Sequence, residues 1–192
     1  MKLPQANRGR TLSARLKLAS AELVGHAPLD STRLALYRGE LFAEPLNAYL
    51  QTVLRGASEW SIGERELFAA FVSHKNGCTY CYRTHRAVAE RALAARTVEA
   101  VFDDYRSAPV SRQVRATLGF LKQLTEQASR LGLGDVSAVL GAGVSREALD
   151  SAIHVCVAVT ALNRVADALG FELPDATALA RAADHHLKNG YA

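Results

Sequence analysis

The chain has 192 residues, of which 49% are hydrophobic and 22% charged, and a formal net charge of +4. That length can bury one core of single-domain size, and because the charge is spread along the chain, the basic footprint of a nucleic-acid binder is missing. No run approaches the roughly 18–20 uninterrupted apolar residues of a membrane span, since the longest apolar stretches are broken by His154, Thr160 or Asn163.

Ala, Leu, Arg and Glu are abundant while Gly, Pro and aromatic residues are sparse, which predicts an all-α fold. The first twenty residues hold Lys2, Arg8, Arg10, Arg15 and Lys17 and no acid. They lack the apolar h-region and cleavage pattern of a secretory signal, so a cytoplasmic location is expected. Ser13 caps a predicted helix over Ala14 to Leu23 that ends at Gly25, and His26 to Leu29, with Pro28, reads as a connector. A second helix is expected over Ser31 to Phe42. From Pro45, the spacing of Leu46, Tyr49, Leu50, Val53 and Leu54 predicts an amphipathic helix stopped near Gly56.

Ser61 and Glu64 form a capping box ahead of Leu67, Phe68, Phe71 and Val72, predicting a helix from Ile62 to Lys75. Asn76-Gly77 then supplies a helix stop that can turn the chain sharply, and the next helix is expected from Cys78 through Ala94. Beyond Ser107-Ala108-Pro109, Ser111 opens a helix carrying Val114, Leu118, Leu121 and Leu124, closed by Gly132 and Gly134, with a short helix over Val136 to Leu140. Ser145 caps the longest apolar helix, through Leu149, Ile153, Val155, Val157, Val159, Leu162 and Val165 to Gly170, expected to be central or at an oligomer interface. Pro174 precedes a last helix, Ala176 to Leu187. The whole reads as one helical domain over 1–192: an N-terminal extension (1–44), a core (45–170) and a C-terminal helix and tail (171–192). The caps at Ser61 and Ser145 hint at two related halves.

Three cysteines are too few for a disulfide scaffold and point to reactive or metal-binding thiols. Two are spaced C-x-x-C, as Cys78-Thr79-Tyr80-Cys81, with His85 four residues on. On a helix Cys78, Cys81 and His85 share one face, which sets an ionisable base beside a thiol. A helix start favours thiolate, the nucleophilic form. Positions i, i+3 of a regular helix lie about 5–6 Å apart, so a bridge between them is expected to be strained and reducible. Glu66 projects on the small-residue side of its helix, beside Ala69, Ala70 and Ser73. Burial there would raise its pKa and make it a proton acceptor near neutrality, directly or through His85. Zinc is the competing chemistry, with Cys78, Cys81 and His85 as three ligands and Glu66 or His74 as a fourth. Haem attachment is excluded because Tyr82 follows Cys81.

Several other polar residues read as structural. His74 decorates a helix end, Tyr80 and Tyr82 line or pack the pocket, Cys156 is a core thiol and His154 an interior or interface histidine. Asn163 and Asp167 pair at i, i+4, and His185-His186 lie in a polar, mobile tail.

The run from Ser61-Ile-Gly-Glu-Arg-Glu-Leu-Phe through Asn76-Gly-Cys-Thr-Tyr-Cys to His85 resembles the carboxymuconolactone decarboxylase superfamily, and within it the alkylhydroperoxidase D-like, peroxidase-related branch. Asn163 to Gly170 is similar to that branch's closing helix, so the likeness spans 45 to 170. The resemblance implies an all-helical homo-oligomer with quasi-duplicated halves that reduces hydroperoxides through a dithiol cycle, without metal, flavin or other cofactor. Carried over by position, Cys81 is the peroxidatic thiol, Cys78 the resolving thiol, and Glu66 with His85 the proton relay. An external dithiol or lipoyl-type donor would reset the bridge. Tyr80 stands where the best-known members carry a histidine between the cysteines. Members that decarboxylate the muconolactone generally lack C-x-x-C, which argues against that activity here. A non-enzymatic redox sensor and a zinc-stabilised structural protein are the alternatives.

Overall fold

The computed structural model describes residues 2, 11–23, 29–38 and 44–191, and every one of its regular elements is helical. In chain order the α-helices are α1 (Leu12–Leu23), α2 (Asp30–Arg38), α3 (Glu44–Arg55), α4 (Ile62–Lys75), α5 (Thr79–Ala92), α6 (Ala95–Asp104), α7 (Arg112–Gln127), α8 (Leu133–Gly141), α9 (Arg146–Leu169) and α10 (Ala176–Asn189), with a 3-10 turn, Ala128–Arg130, after α7. The all-α expectation holds. The stop at Gly25, the connector 26–28, the end of the second helix at Phe42 and most of the basic N-terminus lie outside the described residues.

The centre of the fold is α4, not α9. Gly63 and every residue from Arg65 to Ser73 are buried, the mark of a helix enclosed on all sides. It packs chiefly on α5, then on α9, α7 and α3. The capping box forms as the sequence predicts: Ser61 Oγ accepts from Glu64 N at 3.2 Å, and Glu64 Oε2 accepts from Ser61 N at 2.8 Å. Phe68, Phe71, Leu67 and Val72 fill the core around it with Leu50, Leu54, Leu118 and Leu121. Each such side chain contributes roughly 1.5–3 kcal/mol on burial.

Longest of the helices, α9 buries Leu149, Ala152, Val155, Ala158 and Val159. Yet Val157 is 53% exposed and His154 lies on the surface, bonded through Nδ1 to Tyr49 Oη at 2.6 Å, instead of in the interior. Among the described residues α9 alone is long and apolar enough to cross a membrane, with a mean hydropathy of 1.4 over its best window. His154, Thr160 and Asn163 interrupt its apolar run. Its buried stripe is the core contact of this bundle.

Other departures from the sequence expectation have local causes. Thr11, not Ser13, caps α1, through Ala14 N to Thr11 Oγ1 at 3.1 Å. The helix expected through Ala94 ends at Ala92, and α6, for which no helix is expected from the sequence, follows from Ala95. Leu93 and Ala94 are extended with no glycine or proline to announce the break. Leu93 instead packs over Gly63, where an added Cβ would meet its Cγ at 2.7 Å, so tertiary packing ends α5 and starts α6. Gly132 and Gly134 do not close α7; Gly132 is the N-cap of α8, its N–H bonded to Asp135 Oδ2 at 2.9 Å.

Candidate functional site

The turn between α4 and α5 places the cysteines. Gly77 adopts φ +77°, donates its N–H to His74 O at 3.1 Å, and lets Cys78 N reach back to Ser73 O at 3.0 Å. This pair of bonds is the Schellman stop of α4, and it delivers Cys78 directly as the N-cap of α5. The turn is held from the side by α9: Asn76 Nδ2 donates to Asn163 Oδ1 at 2.9 Å and to Thr160 Oγ1 at 3.2 Å, while Asn163 Nδ2 donates to Ser73 Oγ at 3.1 Å. Asn163 is fully buried.

Cys78 and Cys81 are free, buried thiols. Cys78 has extended backbone, φ −80° and ψ 93°, so it stands off the helix and the regular-helix spacing that implied a strained bridge does not apply. A hydrogen bond from the Cys81 thiol shifts the Cys78 thiol below the ordinary cysteine range, against burial. That same interaction, with burial and the nearby Cys78 charge, pushes Cys81 far up, while Asn163 pulls it partly back. Of the two thiols, Cys78 is therefore the more acidic, rather than the cysteine one turn from His85.

Glu66 is entirely buried and is the hub of a polar cluster. Its Oε2 lies 2.8 Å from His85 Nδ1 and its Oε1 accepts from Arg55 Nη2 at 2.6 Å. Tyr191 Oη donates to either oxygen, at 3.0 and 3.1 Å. Burial alone would raise the carboxyl, as the sequence suggested, but the hydrogen bonds and charges of His85 and Arg55 outweigh it, and Glu66 is shifted down. The group is a fixed carboxylate, not a base poised near neutrality. Arg55 is itself anchored: Nη1 donates to Leu54 O at 2.8 Å and Nη2 to His186 O at 2.9 Å. Arg65 clamps the end of α3 onto α4 through Val53 O at 3.2 Å and Gly56 O at 2.8 Å.

Of the residues singled out in the sequence, Glu66 and His85 are in contact, and Cys81 and His85 line one cavity of about 750 Å³. Cys78 lies behind that wall. The cavity is enclosed by α2 (Ser31, Leu34, Ala35), α3 (Leu46, Leu50), α5 (Tyr80, Cys81, Thr84, His85) and α10 (Ala182, His186), together with Tyr191. Tyr80 is a wall residue as expected, its hydroxyl 3.0 Å from Ser31 Oγ and its pKa pushed up to about 12, first by burial. His74 stays apart, against the rings of Tyr82 and Phe102. Cys156 is buried, with Thr125 Oγ1 at 3.7 Å, and burial raises its thiol.

Arg55, Tyr191 and His186 are site components the sequence reading passed over. His185 and His186 belong to α10 and not to a mobile tail, and the His186 ring stacks on Tyr191 at 4.5 Å. Tyr191 lies 125 positions from Glu66, so no local spacing could have paired them. Arg55 carried a faint signal, a cation in the last turn of a helix otherwise facing the core. Asn163 reads as structural in the sequence, yet its amide both holds the turn and pulls the Cys81 thiol down. The zinc constellation does not assemble: among the described residues no three His, Cys, Asp or Glu side chains converge as a metal site, and His85 Nδ1 is engaged by Glu66.

No protein-family model and no curated protein matches the chain. Solved structures do. An uncharacterised peroxidase-related protein from Silicibacter superposes with TM-score 0.72 at 23% identity, covering 87% of each chain. The alkylhydroperoxidase D core of a peroxidase-related protein from Ralstonia eutropha gives TM-score 0.71 at 21% identity, covering 85% of this chain and 86% of that one. The debrominase Bmp8 gives TM-score 0.71 at 16% identity over 92% of this chain and 95% of its own. The chain therefore has the all-helical fold of the alkylhydroperoxidase D-like proteins, the fold the sequence resemblance implied.

Proposed function

We propose that the protein is a thiol-dependent peroxidase for organic hydroperoxides with an apolar body. The observation that carries this reading is the placement of Cys81 and His85 together on the wall of a largely apolar cavity, with Cys78 behind and Glu66 fixing His85. The cavity volume suits an organic molecule, and it is Cys81 that faces it. In the resting pair Cys81 donates its proton toward the Cys78 thiolate. As that proton passes to Cys78, the Cys81 sulfur attacks the terminal peroxide oxygen, the O–O bond breaks, and the departing alkoxide becomes an alcohol by taking a proton that His85 has accepted from solvent at Nε2. The Cys81 sulfenic acid is then attacked by Cys78, whose proton leaves with the hydroxide as water, closing the disulfide. An external dithiol or lipoyl-type donor supplies the two electrons and two protons that restore the thiols.

Stopped-flow mixing with cumene hydroperoxide and a dithiol tests the scheme. Wild type should consume many equivalents, Cys81→Ser none, and Cys78→Ser should halt at the sulfenic acid. Equal consumption by wild type and Cys81→Ser removes the proposal, and a single equivalent without cycling favours a redox sensor. The debrominase likeness supports a second acceptor for the same electrons: a dithiol can reduce an aryl bromide to arene and bromide while forming its disulfide. Bromide release from a tribromopyrrole, the ligand bound in a Bmp8 structure, would favour it.

A further inference from the structure

We propose that Tyr191 is a positioning residue of this site, whose phenol hydroxyl holds Glu66 ionised and fixes His85 with its proton on Nδ1. The inference rests on reading Glu66 and His85 as the proton relay. Glu66 is not on the cavity wall; of the residues that hydrogen-bond to it, His85 and Tyr191 are. The buried carboxylate thus communicates with the cavity through these two side chains.

The geometry is that of a three-way junction. Tyr191 Oη lies 3.0 and 3.1 Å from the two Glu66 oxygens and 3.2 Å from His85 Nδ1, which itself lies 2.8 Å from Glu66 Oε2. A hydroxyl has one proton to donate and lone pairs with which to accept. Giving its proton to the carboxylate turns the lone pairs of Oη toward Nδ1, where they reward a proton on that nitrogen. Nε2 is then the nitrogen left to accept a proton. Burial, and next the Glu66 charge, raise the Tyr191 phenol well above its usual range, so the hydroxyl remains a donor. The other charged and titratable groups around the junction are Arg55, which donates to Glu66 Oε1, and His186, whose ring is kept neutral first by burial.

Tyr191 is held by contacts that do not involve its hydroxyl. Its ring stacks on His186 at an interplanar angle of 13°, the Arg55 guanidinium lies 5.1 Å from its centroid, and its N–H donates to Gln51 Oε1 at 2.7 Å. Gly190, at φ +77°, makes the bend that brings it back; a Cβ there would collide with Gln51 Oε1. A phenylalanine at 191 therefore keeps the ring's anchorage and removes only the hydroxyl.

The test compares wild type with Tyr191→Phe, using carboxyl carbon NMR of Glu66, assigned with Glu66→Gln, and ring nitrogen NMR of His85. Loss of one donor should move the Glu66 titration up by about one pH unit and weaken the Nδ1–H signature. Hydroperoxide turnover should fall about tenfold in kcat with KM little changed, and circular dichroism should be unaltered. Unchanged Glu66 and His85 spectra in a folded Tyr191→Phe overturn the inference. So does a Tyr191→Ala variant that matches Tyr191→Phe in both spectra and shows the wild-type titration. Should wild type fail to turn over hydroperoxide, the peroxidase reading falls, while the two spectra still decide the role of the hydroxyl.

Discussion

Arg55 and Glu66 form a buried ion pair, Nη2 to Oε1 at 2.6 Å, with side chains 8% and 0% exposed. Withdrawing a carboxylate from water costs several kcal/mol unless donors replace the water, and here Arg55, His85 and Tyr191 together do so. The pair ties the end of α3 to the first turns of α4, so the catalytic proposal and the stability of the bundle meet at one carboxylate.

Arg55→Met should therefore destabilise the fold by about 3–5 kcal/mol, the usual consequence of leaving a buried charge without its partner. It should also let the Glu66 pKa rise, because the Arg55 contribution is one of those holding it down. Urea unfolding at neutral pH measures the first effect. A loss below 1 kcal/mol would mean that Tyr191 and His85 suffice to hold the carboxylate.

Glu66 also sets a pH dependence whose sign follows from its shift. Its folded pKa lies below the ordinary 4.5, so the unfolded chain binds this proton first as pH falls. The stabilisation is present in full above the unfolded value and is lost as pH drops through the folded one. Unfolding free energies measured from about pH 7 to pH 3 should fall less steeply for Glu66→Gln than for wild type. Parallel curves would show that Glu66 does not carry the acid limb.

The contrast between what the sequence showed and what it hid follows contact distance. The capping box of Ser61 and Glu64, the Asn76-Gly77 stop and the Ser145 cap act within a few residues, and the structure reproduces them. The Glu66 and His85 contact was also legible, because both project from adjacent helices joined by one tight turn. Helix α6 was not, since the break that opens it is set by Leu93 packing above Gly63, thirty positions away. Nor could the fate of Glu66 be read. Its burial was foreseeable from Ala69 and Ala70, but the direction of its pKa depends on Arg55 and His85 outweighing that burial. Tyr191 and His186 return to the site only through tertiary folding, and a run of His, Lys and Asn in sequence looks like any solvated helix end.

Asn163 gives a prediction of a different kind. Asn163→Ala strips partners from Asn76 and Ser73 and removes an interaction that lowers the Cys81 pKa. Expected are a loss of roughly 1–3 kcal/mol from unsatisfied buried groups and slower alkylation of Cys81 by iodoacetamide. Peptide mapping of the labelled protein reads the second effect; faster labelling of Cys81 would contradict the assignment.

The uncovered face of α9 motivates the proposal of self-association. Val157 is 53% exposed beside the half-buried Ile153, on a helix apolar enough that a second copy is a natural cover. Light scattering should return more than one chain for wild type and a smaller species for Val157→Glu. A clean wild-type monomer at micromolar concentration would contradict the proposal.

The two sulfurs supply the sharpest prediction, because each shifts the other in opposite directions. The Cys81 thiol lowers Cys78, and the Cys78 sulfur raises Cys81. Cys78→Ala removes the largest cause of the Cys81 elevation, and the Cys81 pKa should fall. Cys81→Ala removes the donor that lowers Cys78, and the Cys78 pKa should rise, since burial then acts on it unopposed by that bond. Ultraviolet thiolate absorbance followed against pH distinguishes the cases, with Cys156, raised by burial, replaced by Ser as background. If both single-cysteine variants titrate alike, the sulfurs are not coupled, and the proton transfer that readies Cys81 for attack has no basis. Opposite movements would place the first ionisation on the pair as a unit, leaving access from the cavity to select Cys81 as the sulfur that meets the peroxide.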